Sequence, residues 1–213
     1  MTTTYYINPH IDTNNRCVCV SPPNLGWLQY KLNKKELDYV WKCIDSKQKD
    51  VSHMLAGNLS GSYKLEDKNN WFLDTVLTPL SLTYAKDFLD MAKPSRLPLR
   101  EESKDYSTKN PKLINVRLIL NDWWVNYQKQ HDFNPVHSHS GVYSFVIWLK
   151  NPTEFNEQNK GENNNSPSKN AFSFFYNDLL GRQNTFNYEL GKSWEGTMLF
   201  FPSGLSHSVY PFY

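Results

Sequence analysis

The spacing of apolar residues changes near residue 112, and this change restricts the chain to folds in which helices precede strands. Before it, apolar residues recur at intervals of three and four, which is typical of helices with one buried face. After it, β-branched and aromatic residues form short runs between turn residues, which indicates strands. We predict one α+β domain over 1–213, in which a helical and irregular part (1–111) buttresses a double-stranded barrel (112–213).

Two helices are predicted in the N-terminal part. The first follows Asn33, a suitable N-cap whose capping-box partner is Glu36. Its expected buried stripe is Leu37, Val40, Trp41 and Ile44. The second spans about 70–92, and Pro79 inside it is expected to kink or split it. Its expected buried face is Leu73, Val76, Leu77, Leu80, Tyr84, Phe88 and Met91.

Strand patterns dominate the C-terminal part. The predicted strands are 113–125 (one strand or two), 142–149, 171–176 and 197–201. Residues 151–170 include seven asparagines together with Gly, Pro, Ser and Glu, which is typical of a solvated loop.

Composition excludes several classes of protein. The 23 basic and 21 acidic residues are dispersed and form no basic stripe, so nucleic-acid binding has no electrostatic support. No apolar run reaches the ~20 residues of a membrane helix, and the N-terminus does not resemble a signal peptide. We interpret Cys17, Cys19 and Cys43 as reduced thiols and expect a cytoplasmic protein.

Three histidines form a candidate metal site. His137 and His139 are two residues apart, which places both side chains on the same face of a strand. His207 follows 68 residues after His139, behind an apolar strand and the turn Pro202-Ser203-Gly204. Together they predict a transition-metal site inside the barrel, for which iron, zinc, copper and nickel all remain open.

The face that these histidines share can be extended along the next strand. If the alternation continues regularly, Tyr143, Phe145, Ile147 and Leu149 point the same way as His137 and His139. A bulge at Gly141 would reverse this alternation.

Two segments carry a resemblance to a known family. F-N-P-V-H-S-H-S-G-V-Y-S-F-V-I-W-L and F-P-S-G-L-S-H-S-V-Y-P-F resemble 2-oxoglutarate/Fe(II)-dependent oxygenases, including short phage-encoded members. The resemblance covers about 113–213 and is vague before that. It implies a double-stranded β-helix (a jelly roll, cupin-like) that hydroxylates a substrate with O2 and 2-oxoglutarate, releasing succinate and CO2.

The resemblance also implies roles for individual residues. His137 would be the proximal iron ligand and His207 the distal one, while His139 stands where the family usually has a carboxylate and is expected to ligate. Tyr127, ten residues before His137, would hydrogen-bond the 2-oxoglutarate. Asn126 and Tyr143 are further candidates to line the same pocket.

In the family, a cation roughly ten residues past the distal histidine pairs with the far carboxylate of 2-oxoglutarate. This sequence ends at Tyr213, six residues after His207, so we expect a chain truncated before this cation and before the last barrel strand. The candidate replacements are Arg117, Lys150 and Arg182.

Two other interpretations stay open. The spacing from Gly196 to His207 also fits the second cupin motif, although Tyr143 and Ser144 stand where the first motif requires a glutamate. A cupin would be a three-histidine dioxygenase, isomerase or small-molecule binder, and 2-oxoglutarate binding would distinguish the two. The second interpretation is a non-enzymatic jelly-roll phage protein.

The sequence does not specify the substrate, which is a small molecule or a protein side chain. Exposed edge strands make an oligomer possible.

Overall fold

A computed structural model describes residues 26–47, 49–88, 118–161 and 167–213. Its strands are β1 (Leu28–Lys31), β2 (Gly61–Lys64), β3 (Trp124–Tyr127), β4 (Asn134–His137), β5 (Tyr143–Trp148), β6 (Ala171–Asn177), β7 (Gln183–Glu189), β8 (Thr197–Pro202) and β9 (Ser206–Val209). Its α-helices are α1 (Lys34–Asp45), α2 (Thr78–Phe88) and α3 (Phe155–Gln158). A π-helical segment occupies Leu73–Leu77, and short 3-10 turns occupy Ser52–Met54, Lys68–Asn70 and Lys192–Trp194.

The strands of the described residues form three antiparallel sheets. Their orders are β4-β9-β6-β7, β1-β8-β5 and β2-β3. The prediction of a β-rich C-terminal half is confirmed at this level, but the helices do not precede all strands, because β1 lies before α1 and β2 lies between α1 and α2. None of the described helices is both long and apolar enough to span a bilayer.

The three-stranded sheet is buried on both faces. Met198 and Phe200 of β8 belong to an apolar cluster shared with α1 and α2. Leu199 and Phe201, which alternate with them, belong to a second cluster shared with β6. The continuous apolar run of β8 follows from this position, because a strand covered on both sides has no face left for polar residues.

The first predicted helix matches α1. Asn33 Oδ1 accepts the Glu36 N–H at 3.0 Å, and a Glu36 carboxylate oxygen accepts the Asn33 N–H at 2.9 Å, so the capping box is confirmed. Val40 and Ile44 are buried as predicted, but Trp41 is 38% exposed and Cys43 takes its place in the core. The buried face of α1 is therefore rotated toward Cys43 relative to the face predicted from the apolar residues.

The second predicted helix is interrupted before Pro79. The Thr78 N–H donates to the Leu73 carbonyl, five residues back, within the π-helical segment, and α2 continues from Thr78. Proline lacks an N–H and its ring crowds the carbonyl four residues earlier, so a widened turn just before it relieves the conflict. Leu73, Val76 and Tyr84 are buried as predicted, while Met91 lies outside the described residues.

The strand predictions are confirmed in part. β5, β6 and β8 lie where strands were predicted. The predicted strand 113–125 is wrong over 118–123, which is irregular, and 113–117 lies outside the described residues. β7 was not predicted, and the predicted loop at 151–170 contains the short helix α3.

Candidate metal centre

The three candidate histidines come from two paired strands and the loop beside them. His137 is the last residue of β4 and lies directly opposite His207 of β9. His139 follows in the β4–β5 loop, where its N–H donates to the Ser203 carbonyl at 2.9 Å. Residues far apart in sequence therefore meet at one end of the four-stranded sheet.

The cluster has the dimensions of a metal site. The possible ligand atoms of the three side chains all lie within 4.8 Å of one another. The ring centroids of His137 and His207 are 4.3 Å apart, and His139 lies 5.0 and 5.1 Å from them. Small side-chain rotations bring such nitrogens to the ~4 Å or less that separates two imidazole ligands of one ion.

Backbone carbonyls fix the orientation of two of the rings. His137 Nδ1 lies 2.7 Å from the Pro135 oxygen, and His207 Nδ1 lies 2.9 Å from the Leu205 oxygen. A carbonyl oxygen can only accept, so each Nδ1 carries the hydrogen and each Nε2 keeps its lone pair. Metal-binding histidines are commonly oriented by a contact of this kind.

The electrostatic surroundings favour neutral imidazoles. The pKa of His207 is lowered to about 4, mainly by burial and to a smaller extent by His137 and His139, while the hydrogen bond to the Leu205 carbonyl opposes the shift. Burial, and then the neighbouring His137, also lower the pKa of His139. Both rings are therefore in the neutral form that binds metals at neutral pH.

Aromatic side chains pack against one side of the histidine cluster. The His207 ring lies 5.0 Å from Phe201, 5.7 Å from Phe172 and 6.3 Å from Phe174, measured between ring centroids. Trp124 of β3 lies 5.8 Å from His139 on another side. His207 is buried while His137 and His139 are partly exposed, so a ligand can approach from the side of the latter two.

The segment that carries this centre matches a known family. Residues 122–213, which include all three histidines, match a family model described as "Putative 2OG-Fe(II) oxygenase". Over this segment the chain is similar to that family. The resemblance inferred from the two histidine motifs is thereby confirmed over this segment. No curated protein and no solved structure matches the chain.

The matched segment does not keep the alternation of side chains that was predicted beyond His139. Tyr143 packs against Tyr84 and Phe200, with ring centroids 5.2 and 4.9 Å apart, on the helix side of the sheet. Val146 instead faces the cluster that surrounds His207. The predicted shared face is wrong because Gly141, at φ +106°, reverses the strand between the histidines and β5. Tyr143 is therefore not placed beside the histidines.

β3 separates the two other predicted pocket residues. Asn126 lies two residues after Trp124, so both side chains are on the face of β3 that borders His139. Asn126 Oδ1 accepts a hydrogen bond from the Ser62 hydroxyl at 2.8 Å. Tyr127 lies on the opposite face, 5.8 Å from the ring of Tyr63 between centroids. The structure thus brings Asn126 to the histidine side and turns Tyr127 away.

Two of the three cations predicted to anchor 2-oxoglutarate lie away from the histidines. Arg117 is outside the described residues. Lys150 lies seven residues past Tyr143, roughly 20 Å along β5 from the end that adjoins Ser203. Arg182 lies in the β6–β7 turn, where its Nε donates to Asp178 at 3.0 Å. Neither Lys150 nor Arg182 therefore lies beside the histidines.

Sequence reasoning missed the structural role of Ser203. Its carbonyl accepts the His139 N–H, its own N–H donates to the Val142 carbonyl at 3.1 Å, and its Oγ lies 2.9 Å from Ser144 Oγ. Ser203 is fully buried and holds both ends of the loop that presents His139. The Pro-Ser-Gly turn was visible in the sequence, but its partners across the sheet were not.

Proposed function

We propose that this protein is a non-haem Fe(II)- and 2-oxoglutarate-dependent oxygenase that hydroxylates its substrate with O2 and releases succinate and CO2. The observation that carries the proposal is the three-histidine cluster inside the family-matched segment. We further propose that the sheets β4-β9-β6-β7 and β1-β8-β5 form a double-stranded β-helix, of jelly-roll type, within a single domain. The aromatic and aliphatic cluster between these two sheets supports that arrangement.

The donor set fits ferrous iron. His137 and His207, oriented by backbone carbonyls, provide Nε2 lone pairs, and His139 provides a third ring-nitrogen lone pair; Fe(II) accepts such ligands readily. Because all three ligands are neutral, the ion would keep its full double positive charge, which favours a dianionic co-substrate. When bound, iron and 2-oxoglutarate together supply the activation of O2 for hydroxylation.

The surrounding residues have separate tasks in this proposal. Phe172, Phe174 and Phe201 exclude water from the His207 side, which limits side reactions of an activated oxidant. Ser203 holds the His139 loop so that the third imidazole faces the other two. The partly exposed side near His137 leaves room for the co-substrate and substrate.

A cupin-type metalloprotein is the second candidate. The observation that favours it is His139, an imidazole at the position where oxygenases of this family usually have a carboxylate. Such a protein would bind a metal and act as a dioxygenase, isomerase or small-molecule binder without needing 2-oxoglutarate.

We propose a cytoplasmic location and a small molecule or protein side chain as the substrate. Cys43, a free and buried thiol, is compatible with a reducing compartment.

The test is turnover of 2-oxoglutarate. Protein loaded anaerobically with Fe(II) is exposed to O2 and 2-oxoglutarate, and succinate is quantified. We expect succinate from the native chain and from His53→Ala, which changes an exposed histidine outside the cluster, and none above background from His207→Ala. Absence of succinate from native, iron-loaded protein would overturn the proposal.

A further inference from the structure

A continuous series of aromatic rings leads away from His207. The Phe172 ring stacks on His207 with the centroids 5.7 Å apart, and the Trp148 ring lies 5.3 Å from Phe172. Trp148 lies 5.3 Å from Trp194, and Trp194 lies 4.9 Å from Tyr188. Each ring therefore contacts the next one at a distance typical of packed aromatic pairs.

A hydrogen bond extends the series to Trp27. The Trp27 Nε1–H donates to the Tyr188 hydroxyl, and the Trp27 ring centroid lies 4.5 Å from that of Phe174. Phe174 lies 6.3 Å from His207, so the series also reaches the histidines through a second phenylalanine. We call the three indoles and one phenol of this series the aromatic relay, which consists of Trp27, Trp148, Tyr188 and Trp194.

The relay connects the buried histidine with the surface of the protein. His207 and Phe172 are buried, and only 1% of the Phe172 surface is exposed. Trp194 is partly exposed and stands in a short turn between the exposed residues Ser193 and Glu195. Water and small solutes therefore reach Trp194, whereas the ring that contacts His207 is shielded from them.

The residue types of the relay suit the transfer of electrons. Tryptophan and tyrosine can lose one electron to a strong oxidant, whereas phenylalanine resists this oxidation. Phe172 is therefore only the packed contact between His207 and Trp148, and the first ring that can give up an electron is Trp148. Trp194 contacts Trp148 directly and can replace the electron that Trp148 has lost.

We infer that Trp148 and Trp194 deliver electrons from the surface to the metal centre when O2 is activated and no substrate is bound. The inference rests on the proposed function, because iron, 2-oxoglutarate and O2 together supply the oxidant. Formation of succinate and CO2 uses one oxygen atom of O2, and the second atom is left without a substrate. Two electrons that pass in succession through Trp148, with two protons from solvent, reduce this second atom to water.

The electrons are replaced at the surface end of the relay. Each time Trp194 supplies an electron to Trp148, its indole N–H proton passes to solvent and a neutral Trp194 radical remains. A small thiol or ascorbate returns one electron and one proton to this radical. The relay thereby protects the metal-binding rings, because an oxygen atom that is not reduced in this way oxidises the side chains nearest to it.

The inference is tested by a single turnover without substrate. Native chain loaded anaerobically with Fe(II) and 2-oxoglutarate is mixed with O2 and frozen rapidly. Electron paramagnetic resonance detects radicals on side chains, and succinate is quantified in the same samples. Tryptophan deuterated on the indole ring changes the signal of a tryptophan radical and leaves that of a tyrosine radical unaltered. We expect a tryptophan radical in the native chain, and its loss on addition of ascorbate.

Three variants locate this radical. Trp148→Phe keeps an aromatic ring in the core and should abolish the radical. Trp194→Phe changes only the surface end of the relay and should leave a radical on Trp148 that ascorbate removes more slowly. Trp71→Phe is the matched control, because Trp71 packs in the helix-side cluster, and it should behave like the native chain.

A second measurement follows the damage that the relay prevents. The chains turn over 2-oxoglutarate with ascorbate present and substrate absent until succinate formation stops, and mass spectrometry then locates added oxygen atoms. We expect Trp148→Phe and Trp194→Phe to form less succinate before they stop than the native chain and Trp71→Phe. Added oxygen should accumulate in the peptides that contain Phe172 and His207, whereas the initial rate of succinate formation in Trp194→Phe should equal that of the native chain.

The outcomes separate the inference from the proposed function. Absence of succinate from the native chain would contradict the proposed function itself. Succinate without a tryptophan radical, or a radical of equal size in native chain and Trp148→Phe, would overturn only the relay. A radical that is lost in Trp124→Phe would also overturn the relay, because the electron would then come from the indole that lies 5.8 Å from His139.

Discussion

At the residue scale, the charge of the metal centre depends on His139. Its imidazole stands where the resemblance implies a carboxylate, and it lies within 4.8 Å of the other two candidate ligands. A carboxylate at this position would supply an oxygen ligand and remove one positive charge from the metal-bound site. Whether His139 is a metal ligand can be tested by replacing it with aspartate and with alanine.

We predict that His139→Asp retains Fe(II) binding, because aspartate restores a ligand of the type common in the family. His139→Ala should weaken Fe(II) binding by more than about tenfold, since loss of a ligand costs at least as much as loss of an orienting partner. Anaerobic Fe(II) titration of the three proteins measures this. Fe(II) binding by His139→Ala that equals that of the native chain would exclude His139 as a ligand.

The pKa of His207 predicts how metal-free protein responds to acid. In the unfolded chain a histidine titrates near 6.5, whereas burial lowers the pKa of His207 in the folded chain to about 4. Between these values the unfolded chain binds more protons, so the free energy of unfolding falls as the pH falls from about 6.5 to 4. We expect His207 to contribute about 3 kcal/mol to this loss.

Denaturant unfolding of metal-free protein from pH 7 to pH 4 measures this effect. His207→Gln removes the titrating group and should flatten the decline, whatever its effect on stability at pH 7. A decline of undiminished size in that variant would assign the pH dependence to other groups.

Individual residues differed in how well the sequence predicted them. The histidines were predictable because their spacing and the flanking strand patterns are local features. Tyr143 and Tyr127 were not, because one glycine with a positive φ and one strand pairing decide which way their side chains point.

At the scale of elements, the β4–β5 loop determines whether the third imidazole meets the other two. Gly141 turns this loop at φ +106°, and a Cβ there would meet only Ser203 Oγ, at an ordinary 3.6 Å. Glycine is therefore required at this position by the backbone conformation, and not because a side chain would be crowded.

We predict that Gly141→Ala destabilises the protein by about 1–3 kcal/mol and weakens Fe(II) binding, because an alanine resists this φ and shifts the loop that carries His139. Gly204→Ala is the matched control in the neighbouring turn, where a Cβ meets nothing within 4 Å and φ is not positive. Denaturant unfolding and Fe(II) titration of both variants measure the difference. Equal effects of the two substitutions would contradict this role for Gly141.

Local signals also explain which elements were predictable. The start of α1 followed directly from Asn33 and Glu36, because a capping box involves only residues three positions apart. β7 was missed because only Phe186 and Tyr188 are large apolar residues in a strand otherwise made of polar side chains. That strand exists through pairing with β6, which no local pattern reveals.

At the scale of the whole molecule, the metal centre connects segments that are held by two different sheets. His137 and His207 belong to the four-stranded sheet, whereas His139 is held by Ser203, which follows β8 of the three-stranded sheet. A metal ion bound to all three would link the two sheets at one end. Metal binding should therefore stabilise the fold and not only fill a surface site.

The most direct measurement is the thermal stability of metal-free protein under anaerobic conditions, first with Fe(II) and then with Fe(II) and 2-oxoglutarate. A ligand that binds only the folded state adds about 2.7 kcal/mol of stability at a hundredfold excess over its Kd. We predict a rise in Tm with Fe(II), a further rise with 2-oxoglutarate only when Fe(II) is present, and neither rise in His207→Ala. A Tm that Fe(II) leaves unchanged, or that 2-oxoglutarate raises equally without metal, would contradict the three-histidine oxygenase centre.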